Sequence, residues 1–195
     1  MSVKIKNLLC FGNSLTAGYG LSSSQAFPAL LQQRINVMQL PYKVINAGVN
    51  GDTSARGVQR IDQYLSQPVD VLLLELGIND LARGIFPTQT AYNLQQIIDK
   101  VREKNPGCRM VLAGMEIPMA IIPRELSPFL GEPLVAAFQN LFSEVARRNN
   151  MAYIPFLLKG VAGNANLNLY DRIHPNADGQ KILAENVWDV LSALL

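Results

Sequence analysis

The sequence is poor in cysteine, histidine and charged residues. Two of its 195 residues are cysteines, one is a histidine, and Asp, Glu, Lys and Arg together make up 16%. Cys10 and Cys108 have neither metal-ligand spacing nor a CxxC pattern, so we predict reduced, structural thiols. Because the formal net charge is only +2 and basic residues form no run, a nucleic-acid partner is not indicated.

Long apolar runs are also absent. Glu75 and Asn79 interrupt the longest one, so no stretch approaches the about 18 apolar residues of a membrane span, and we expect no stable membrane anchor. No leader pattern precedes the first predicted strand, so the chain as given is expected to be cytoplasmic, or periplasmic if a leader has been removed. The 49% hydrophobic content excludes disorder and fits a single domain over residues 1–195. The oligomeric state is left open.

Five short apolar runs predict β-strands that alternate with segments of helical spacing. The runs are nearly continuous and do not alternate with polar residues, as expected for a parallel sheet covered by helices on both faces. The sequence therefore predicts an α/β fold with the order βαβαβαβαβα. The predicted strands are Lys6–Phe11, Lys43–Asn46, Val71–Leu76, Met110–Ala113 and Ala152–Phe156.

The single histidine is the first candidate for chemistry. A side-chain base that works near neutral pH has to be His174 or a carboxylate whose pKa is strongly shifted. Asp171 precedes it by three residues, close enough to accept the Nδ1 proton and leave Nε2 free as a base. A satisfied surface pair is the alternative interpretation of this spacing.

Ser14 is the candidate nucleophile because it follows the first predicted strand. Glycines at positions 12 and 18 allow a sharp turn that presents its hydroxyl at the sheet edge. The alternative is a helix N-cap, and the two roles are compatible because a helix N-terminus also offers N–H groups to an oxyanion. The Gly-x-Ser-x-Gly elbow of α/β-hydrolases is absent, since Thr16 occupies its last position.

Two further residues at strand ends are candidate oxyanion donors. Gly48 ends the second strand and could offer an unhindered backbone N–H, although taken alone it is interpreted as a turn glycine. Asn79 follows the most apolar strand and can direct its amide N–H to the same point. Turn chemistry is the alternative for Asn79 as well.

These blocks together resemble the SGNH, or GDSL-like, hydrolase family. The resemblance is closest to the bacterial arylesterase, lysophospholipase and acyl-CoA thioesterase branch, and it spans nearly the whole chain. It implies a flavodoxin-like three-layer α/β/α sandwich around the five-stranded parallel sheet. The segments that carry it most specifically are Leu74–Asp80, Arg83-Gly84 and Ile173–Asn176.

The resemblance also implies residue roles and a reaction. Ser14 is the implied nucleophile, and Asp171 and His174 complete the triad. The implied oxyanion hole consists of the Ser14 N–H, the Gly48 N–H and the Asn79 side chain. The expected substrates are small acyl esters or thioesters, such as aryl esters, lysophospholipids or acyl-CoA, hydrolysed through an acyl-enzyme without a metal or organic cofactor.

The chain departs from the family pattern at two places. Asn13 stands where the family usually has Asp, a nearly isosteric change that removes a charge and adds an N–H donor. Residues 119–123 lack the Asn-Tyr-Gly often seen in that loop, which bears on acyl preference. The predicted substrate-binding residues are Ile85, Phe86, Glu116, Ile117 and Pro118, with the apolar residues between 119 and 129 as further candidates.

Two other functions remain open on the sequence alone. Carbohydrate O-deacetylation is a second enzymatic interpretation, against which the apolar loop argues. A non-catalytic binding module on the same fold is motivated by Asn13.

Overall fold

The computed structural model describes residues 4–115 and 132–195. The predicted parallel sheet is confirmed, with strands β1 (Lys6–Gly12), β2 (Tyr42–Gly48), β3 (Val71–Glu75), β4 (Arg109–Ala113) and β5 (Ala152–Ile154). The α-helices in these ranges are α1 (Ser14–Ala17), α2 (Phe27–Val37), α3 (Ser54–Arg60), α4 (Ile78–Ala82), α5 (Pro87–Lys104), α6 (Glu132–Arg148) and α7 (Ala177–Leu191).

The strand order places three loops at one edge of the sheet. The order is β2-β1-β3-β4-β5 and all pairings are parallel. Gly12 at the end of β1 pairs with Gly48 of β2 on one side and with Glu75 of β3 on the other. The chain reverses its direction of winding between β1 and β3, and ligands in open α/β sheets bind at such a point. The loops after β1, β2 and β3 therefore meet there.

Side chains that alternate along β3 separate the core into two clusters. Every residue of β3 is buried. Leu72 and Leu74 belong to a cluster on the side of α5 and α6, whereas Val71 and Leu73 belong to a cluster with side chains of α2 and α7. Helices thus cover both faces of the sheet, which is the predicted three-layer α/β/α arrangement.

The cysteines lie where the strand pattern predicted them. Cys10 is buried in β1 and Cys108 is half-buried just before β4, and both are free thiols. Burial raises the pKa of the thiol in each case, to about 12 for Cys108. Within the described ranges, no helix is long and apolar enough to cross a membrane.

Candidate active site

The turn after β1 places the candidate nucleophile at the start of a short helix. Oδ1 of Asn13 accepts a hydrogen bond from the Leu15 N–H at 2.9 Å, so Asn13 is the N-cap of α1. Ser14 is therefore the first helical residue, and the alternative in which Ser14 itself caps the helix does not apply. As the first residue, Ser14 has a backbone N–H without a partner inside the helix.

A tight loop before α7 fixes the candidate base. Asn168 and Pro175 form an antiparallel bridge that closes the loop. Oδ1 of Asp171 accepts hydrogen bonds from the backbone N–H groups of Ile173, at 2.9 Å, and His174, at 3.0 Å. The carboxylate is thus held by the backbone of the loop, with its second oxygen left for the imidazole.

The structure brings Ser14, His174 and Asp171 together although 160 positions separate the serine from the histidine. Nδ1 of His174 lies 2.7 Å from Oδ2 of Asp171, and Nε2 lies 2.9 Å from Oγ of Ser14. With the Nδ1 proton donated to the carboxylate, Nε2 is left to accept the serine proton. This arrangement can generate a nucleophilic serine oxygen.

The carboxylate of Asp171 is stabilised in its charged form. Partial burial alone would raise its pKa, but hydrogen bonds from the backbone and ring of His174 and from the Ile173 N–H outweigh burial, so the pKa lies below its ordinary value. Asp171 therefore remains a negative partner for the imidazole in mildly acidic solution.

An aromatic ring that the sequence analysis did not single out lies against the histidine. The Tyr19 and His174 ring centroids are 4.4 Å apart, and the ring planes are tilted by 38°. Tyr19 follows the left-handed Gly18 that ends α1. It covers one side of the imidazole and limits rotation of that ring.

The structure gives Gly48 a packing role. Its N–H donates to Oδ1 of Asn46 at 2.9 Å, so the backbone donor predicted at this position is already engaged. A Cβ at position 48 would lie 2.2 Å from the backbone nitrogen of Ala17. Gly48 is therefore the residue that lets the end of β2 approach α1.

A second glycine in the same loop presents a different N–H. The Asp52 N–H donates to the Val49 carbonyl at 3.2 Å, which closes a turn with Gly51 at its third position. Gly51 has φ +72°, a conformation that favours glycine. Its N–H donates no hydrogen bond to residues of the two described ranges. Nδ2 of Asn79 donates to the Asp52 carbonyl at 2.8 Å, so the predicted Asn79 side chain reaches this turn.

A buried ion pair attaches that turn to the nucleophile strand. The Asp52 carboxylate is fully buried and pairs with the Arg60 guanidinium. Nη2 of Arg60 also donates to the Gly12 carbonyl at 2.9 Å, and its guanidinium lies 3.9 Å from the centroid of the Phe11 ring. The position of the Gly51 turn relative to Ser14 is thus fixed by charge, hydrogen bonding and stacking.

Asp80 anchors the helix that carries Asn79. Its carboxylate accepts hydrogen bonds from the N–H and hydroxyl of Ser54 and from the hydroxyl of Thr90. Nδ2 of Asn93 donates to the Ser54 hydroxyl at 2.9 Å. All of these side chains are buried, so α3, α4 and α5 are joined by a polar network directly behind Asn79.

Glu75 is a third buried carboxyl, after Asp52 and Asp80, and it lies beside the nucleophile turn. Thr16 and Asn13 donate hydrogen bonds to it. Burial raises the pKa of Glu75 to about 7, and hydrogen bonds from Thr16 and Asn13 limit the increase. From the sequence, Glu75 was noted as an interruption of the longest apolar run and as part of the Leu74–Asp80 segment, without a role in the site.

A cavity of about 740 Å³ opens between the ends of β3, β4 and β5 and the histidine loop. Its volume lies within the range of small-molecule sites. Leu15, next to the nucleophile, and Asp171 and Ile173, next to the base, belong to its wall. Further wall residues are mostly apolar or small and include Ile78, Ala113, Gly114, Met115, Phe156, Leu157, Leu158 and Ala162.

Two of the predicted substrate-binding residues, Ile85 and Phe86, do not coincide with this cavity. Ile85 is half-buried and Phe86 is 74% exposed, and neither belongs to its wall. Phe86 instead precedes α5 as its N-cap residue. Glu116, Ile117 and Pro118, and the apolar candidates between 119 and 129, lie outside the described residues.

Comparisons with known proteins found a matching family model, similar sequences and similar solved structures. The model of the GDSL-like Lipase/Acylhydrolase family matches residues 10–182. Esterase TesA of Pseudomonas aeruginosa is 37% identical over 191 residues, which cover 97% of this chain and 90% of that protein. Thioesterase 1/protease 1/lysophospholipase L1 of Escherichia coli K12 is 34% identical over 179 residues, covering 91% and 79%. A crystal structure of TesA superimposes with a TM-score of 0.87 at 36% identity, covering 97% of this chain and 100% of that one.

Proposed function

The chain belongs to the GDSL-like Lipase/Acylhydrolase family and is a carboxylic ester hydrolase, and we propose that it works through a Ser14–His174–Asp171 triad. The observation that carries this proposal is the continuous hydrogen-bonded path from the Asp171 carboxylate through the imidazole to the serine hydroxyl. His174 takes the Ser14 proton as the hydroxyl attacks the carbonyl, and an acyl-enzyme forms. The base then returns its proton to the leaving group and activates water for the second half of the cycle.

We assign the oxyanion hole to the Ser14 N–H, the Gly51 N–H and the Asn79 side chain. The Gly51 N–H takes the place of the Gly48 N–H in this set, because the Gly48 N–H already donates a hydrogen bond to the Asn46 side chain. The Gly51 N–H is uncommitted among the described residues, and its turn is joined to Asn79 through the Asp52 carbonyl. Donors held in place before the reaction stabilise the developing negative charge without reorganisation during the step.

Removal of the Asn79 side chain is expected to slow the chemical step selectively. For Asn79→Ala we expect kcat to fall about a hundredfold to a thousandfold, as for loss of one oxyanion donor, with a much smaller change in KM. Steady-state kinetics on an aryl ester measure both constants. Asn140→Ala, on an exposed position of α6, is the matched control and should leave both unchanged. An Asn79→Ala enzyme with a wild-type kcat would remove Asn79 from the oxyanion hole.

We propose acyl esters and thioesters with short to medium chains as substrates. The mostly apolar wall of the cavity beside the triad supports an acyl chain as its occupant. The names of the two relatives, an esterase and a thioesterase/lysophospholipase, agree with this substrate class. Burial of each CH₂ contributes about 0.8 kcal/mol, so two buried methylenes already correspond to about tenfold in kcat/KM.

Three substrates test the acyl-chain proposal. The octanoyl and acetyl esters of one phenol and an acetylated sugar are compared with wild-type enzyme. We expect kcat/KM for the octanoyl ester to exceed that of the acetyl ester about tenfold or more, and the acetylated sugar to be the poorest substrate. Preference for the acetylated sugar would support carbohydrate O-deacetylation instead. Absence of turnover on all three would support a binding module.

A further inference from the structure

We propose that Glu75 is a positioning residue that holds the nucleophile turn in its reactive geometry through Asn13 and Thr16. The inference rests on the proposed function, because it takes Ser14 as the nucleophile. Glu75 is the last residue of β3 and lies beside Gly12, the last residue of β1. It makes no hydrogen bond with the triad, so it would act through the residues that flank Ser14.

Three hydrogen bonds connect the Glu75 carboxyl to the turn. Oε2 accepts from the Asn13 backbone N–H at 3.1 Å and from the Thr16 hydroxyl at 2.8 Å, and Oε1 accepts from Nδ2 of Asn13 at 2.6 Å. The contacts lie immediately before Ser14 and two residues after it. Both ends of the segment that carries the nucleophile are therefore attached to one rigid strand.

The orientation of the Asn13 amide is determined independently. Its Oδ1 caps α1 by accepting the Leu15 N–H at 2.9 Å, which leaves Nδ2 to face Glu75. The Asn13 backbone N–H at Oε2 and the Asn13 Nδ2 at Oε1 can only donate, so each side-chain oxygen of Glu75 meets an obligate donor and an amide at position 75 would be mismatched at one of the two positions. An Asp at position 13 would present a second carboxyl to Glu75, and two carboxyls at this distance share a proton. Asn13 caps α1 in the same way without placing a second carboxyl beside Glu75.

The surrounding residues are shaped for this contact. Glu75 is only 3% exposed, and Asn13 and Thr16 are fully buried, so water does not replace the hydrogen bonds. A Cβ at Gly12 would lie 2.6 Å from Oε2 of Glu75 and 2.1 Å from Oγ1 of Thr16. The absence of a side chain at position 12 thus makes room for the carboxyl beneath the turn. A nucleophile displaced by about 1 Å can lose about a hundredfold in rate.

A pair of substitutions that exchanges the hydrogen-bond acceptor at position 75 with the donor at position 13 tests the inference. Glu75→Gln places an amide N–H against one of the donors, and we expect kcat to fall about tenfold to a hundredfold with KM changed less than about threefold. In the double variant Glu75→Gln, Asn13→Asp, the new carboxylate accepts from the glutamine amide and still caps α1. We expect the double variant to recover kcat to within about fivefold of wild type. Measurements at about pH 8.5 keep Glu75 ionised, since its pKa is raised to about 7.

Matched controls separate positioning from general stability. Glu103→Gln, an exposed change on α5, should leave kcat and the melting temperature unchanged. Thr16→Val removes a single donor with little change of shape, and we expect a loss of kcat of about threefold to tenfold, so the inference remains testable if Glu75→Gln does not fold. Recovery in the double variant shows that the loss comes from the contact between residues 75 and 13. A loss of kcat with little change in KM, in a Glu75→Gln variant whose melting temperature lies well above the assay temperature, supports positioning over a general loss of stability.

Two outcomes would overturn the inference. The first is a wild-type kcat in folded Glu75→Gln or, if that variant does not fold, in Thr16→Val. The second is a double variant whose loss of kcat equals the product of the losses measured for Glu75→Gln and for Asn13→Asp alone. Wild-type turnover and its loss in Ser14→Ala are measured in parallel. If wild-type protein hydrolyses esters through Ser14 and either outcome is found, only the positioning role fails. If wild-type protein has no turnover, the proposed function itself fails.

Discussion

Replacement of Ser14 by alanine is expected to lower kcat for an aryl ester by about 10⁶-fold, as loss of the nucleophile does in serine proteases. The methyl group cannot attack the carbonyl, and His174 then has no hydroxyl to deprotonate. Because Ser14 is 8% exposed and begins a helix capped by Asn13, the variant should fold normally, which the melting temperature checks. Ser66→Ala, at an exposed position, is the control. Retention of more than about one hundredth of the activity would exclude Ser14 as nucleophile.

Replacement of Asp171 by asparagine is expected to cost about a thousandfold to ten-thousandfold in kcat. The asparagine Oδ1 can still accept the two backbone N–H groups, so the loop is preserved. Its Nδ2, however, donates towards Nδ1 of His174 and favours the tautomer whose Nε2 carries the proton and cannot act as a base. The ten-thousandfold loss applies to a buried carboxylate. The Asp171 side chain is 36% exposed, so water partly takes over its interaction with the imidazole and the loss is smaller.

The kinetic signature distinguishes this effect from a folding defect. Asp189→Asn, an exposed change on α7, should have wild-type kinetics. In Asp171→Asn, the reduced rate should appear in kcat with little change in KM, because the carboxylate contacts the base and not the acyl chain. A kcat within tenfold of wild type would mean that the Asp171 contact is a surface pair, the alternative raised by the sequence.

The sheet and its helices were largely predictable because they depend on local apolar patterns. Nearly continuous runs such as Val71–Glu75 identify strands that are buried on both faces, and the five helical periodicities correspond to α2, α3, α5, α6 and α7. The short helices α1 and α4 were missed, since four or five residues carry no periodic signal. β5 ends at Ile154, two residues before the predicted end.

The meeting of Ser14, His174 and Asp171 was predictable because the chain has a single histidine and because parallel strand ends share one edge. The backbone N–H that we propose for the oxyanion hole was not predictable, since its availability depends on turn geometry. Whether the Gly48 N–H is free is determined by the rotamer of Asn46, two residues earlier. The positive φ of Gly51 is likewise a property of the turn that no spacing rule specifies.

Two of the predicted substrate-binding residues, Ile85 and Phe86, do not line the cavity. They follow Asn79 closely in sequence, but they lie directly before α5, which begins at Pro87. The rule that ligands bind at strand ends, applied also to β5, would have indicated Phe156 and Leu157 in the cavity wall. The role proposed for Glu75 was hidden because it depends on hydrogen bonds to residues about 60 positions away.

Identification of the residue modified by a fluorophosphonate ester tests the central claim most directly. Such reagents phosphonylate a serine only when a base activates it. Wild-type enzyme is labelled, digested, and analysed by fragmentation mass spectrometry, which separates Ser14 from Ser22, Ser23 and Ser24 nearby in the chain. We predict one adduct per chain, located on Ser14. An adduct on another residue, or ester turnover by protein that acquires no label, would contradict the account.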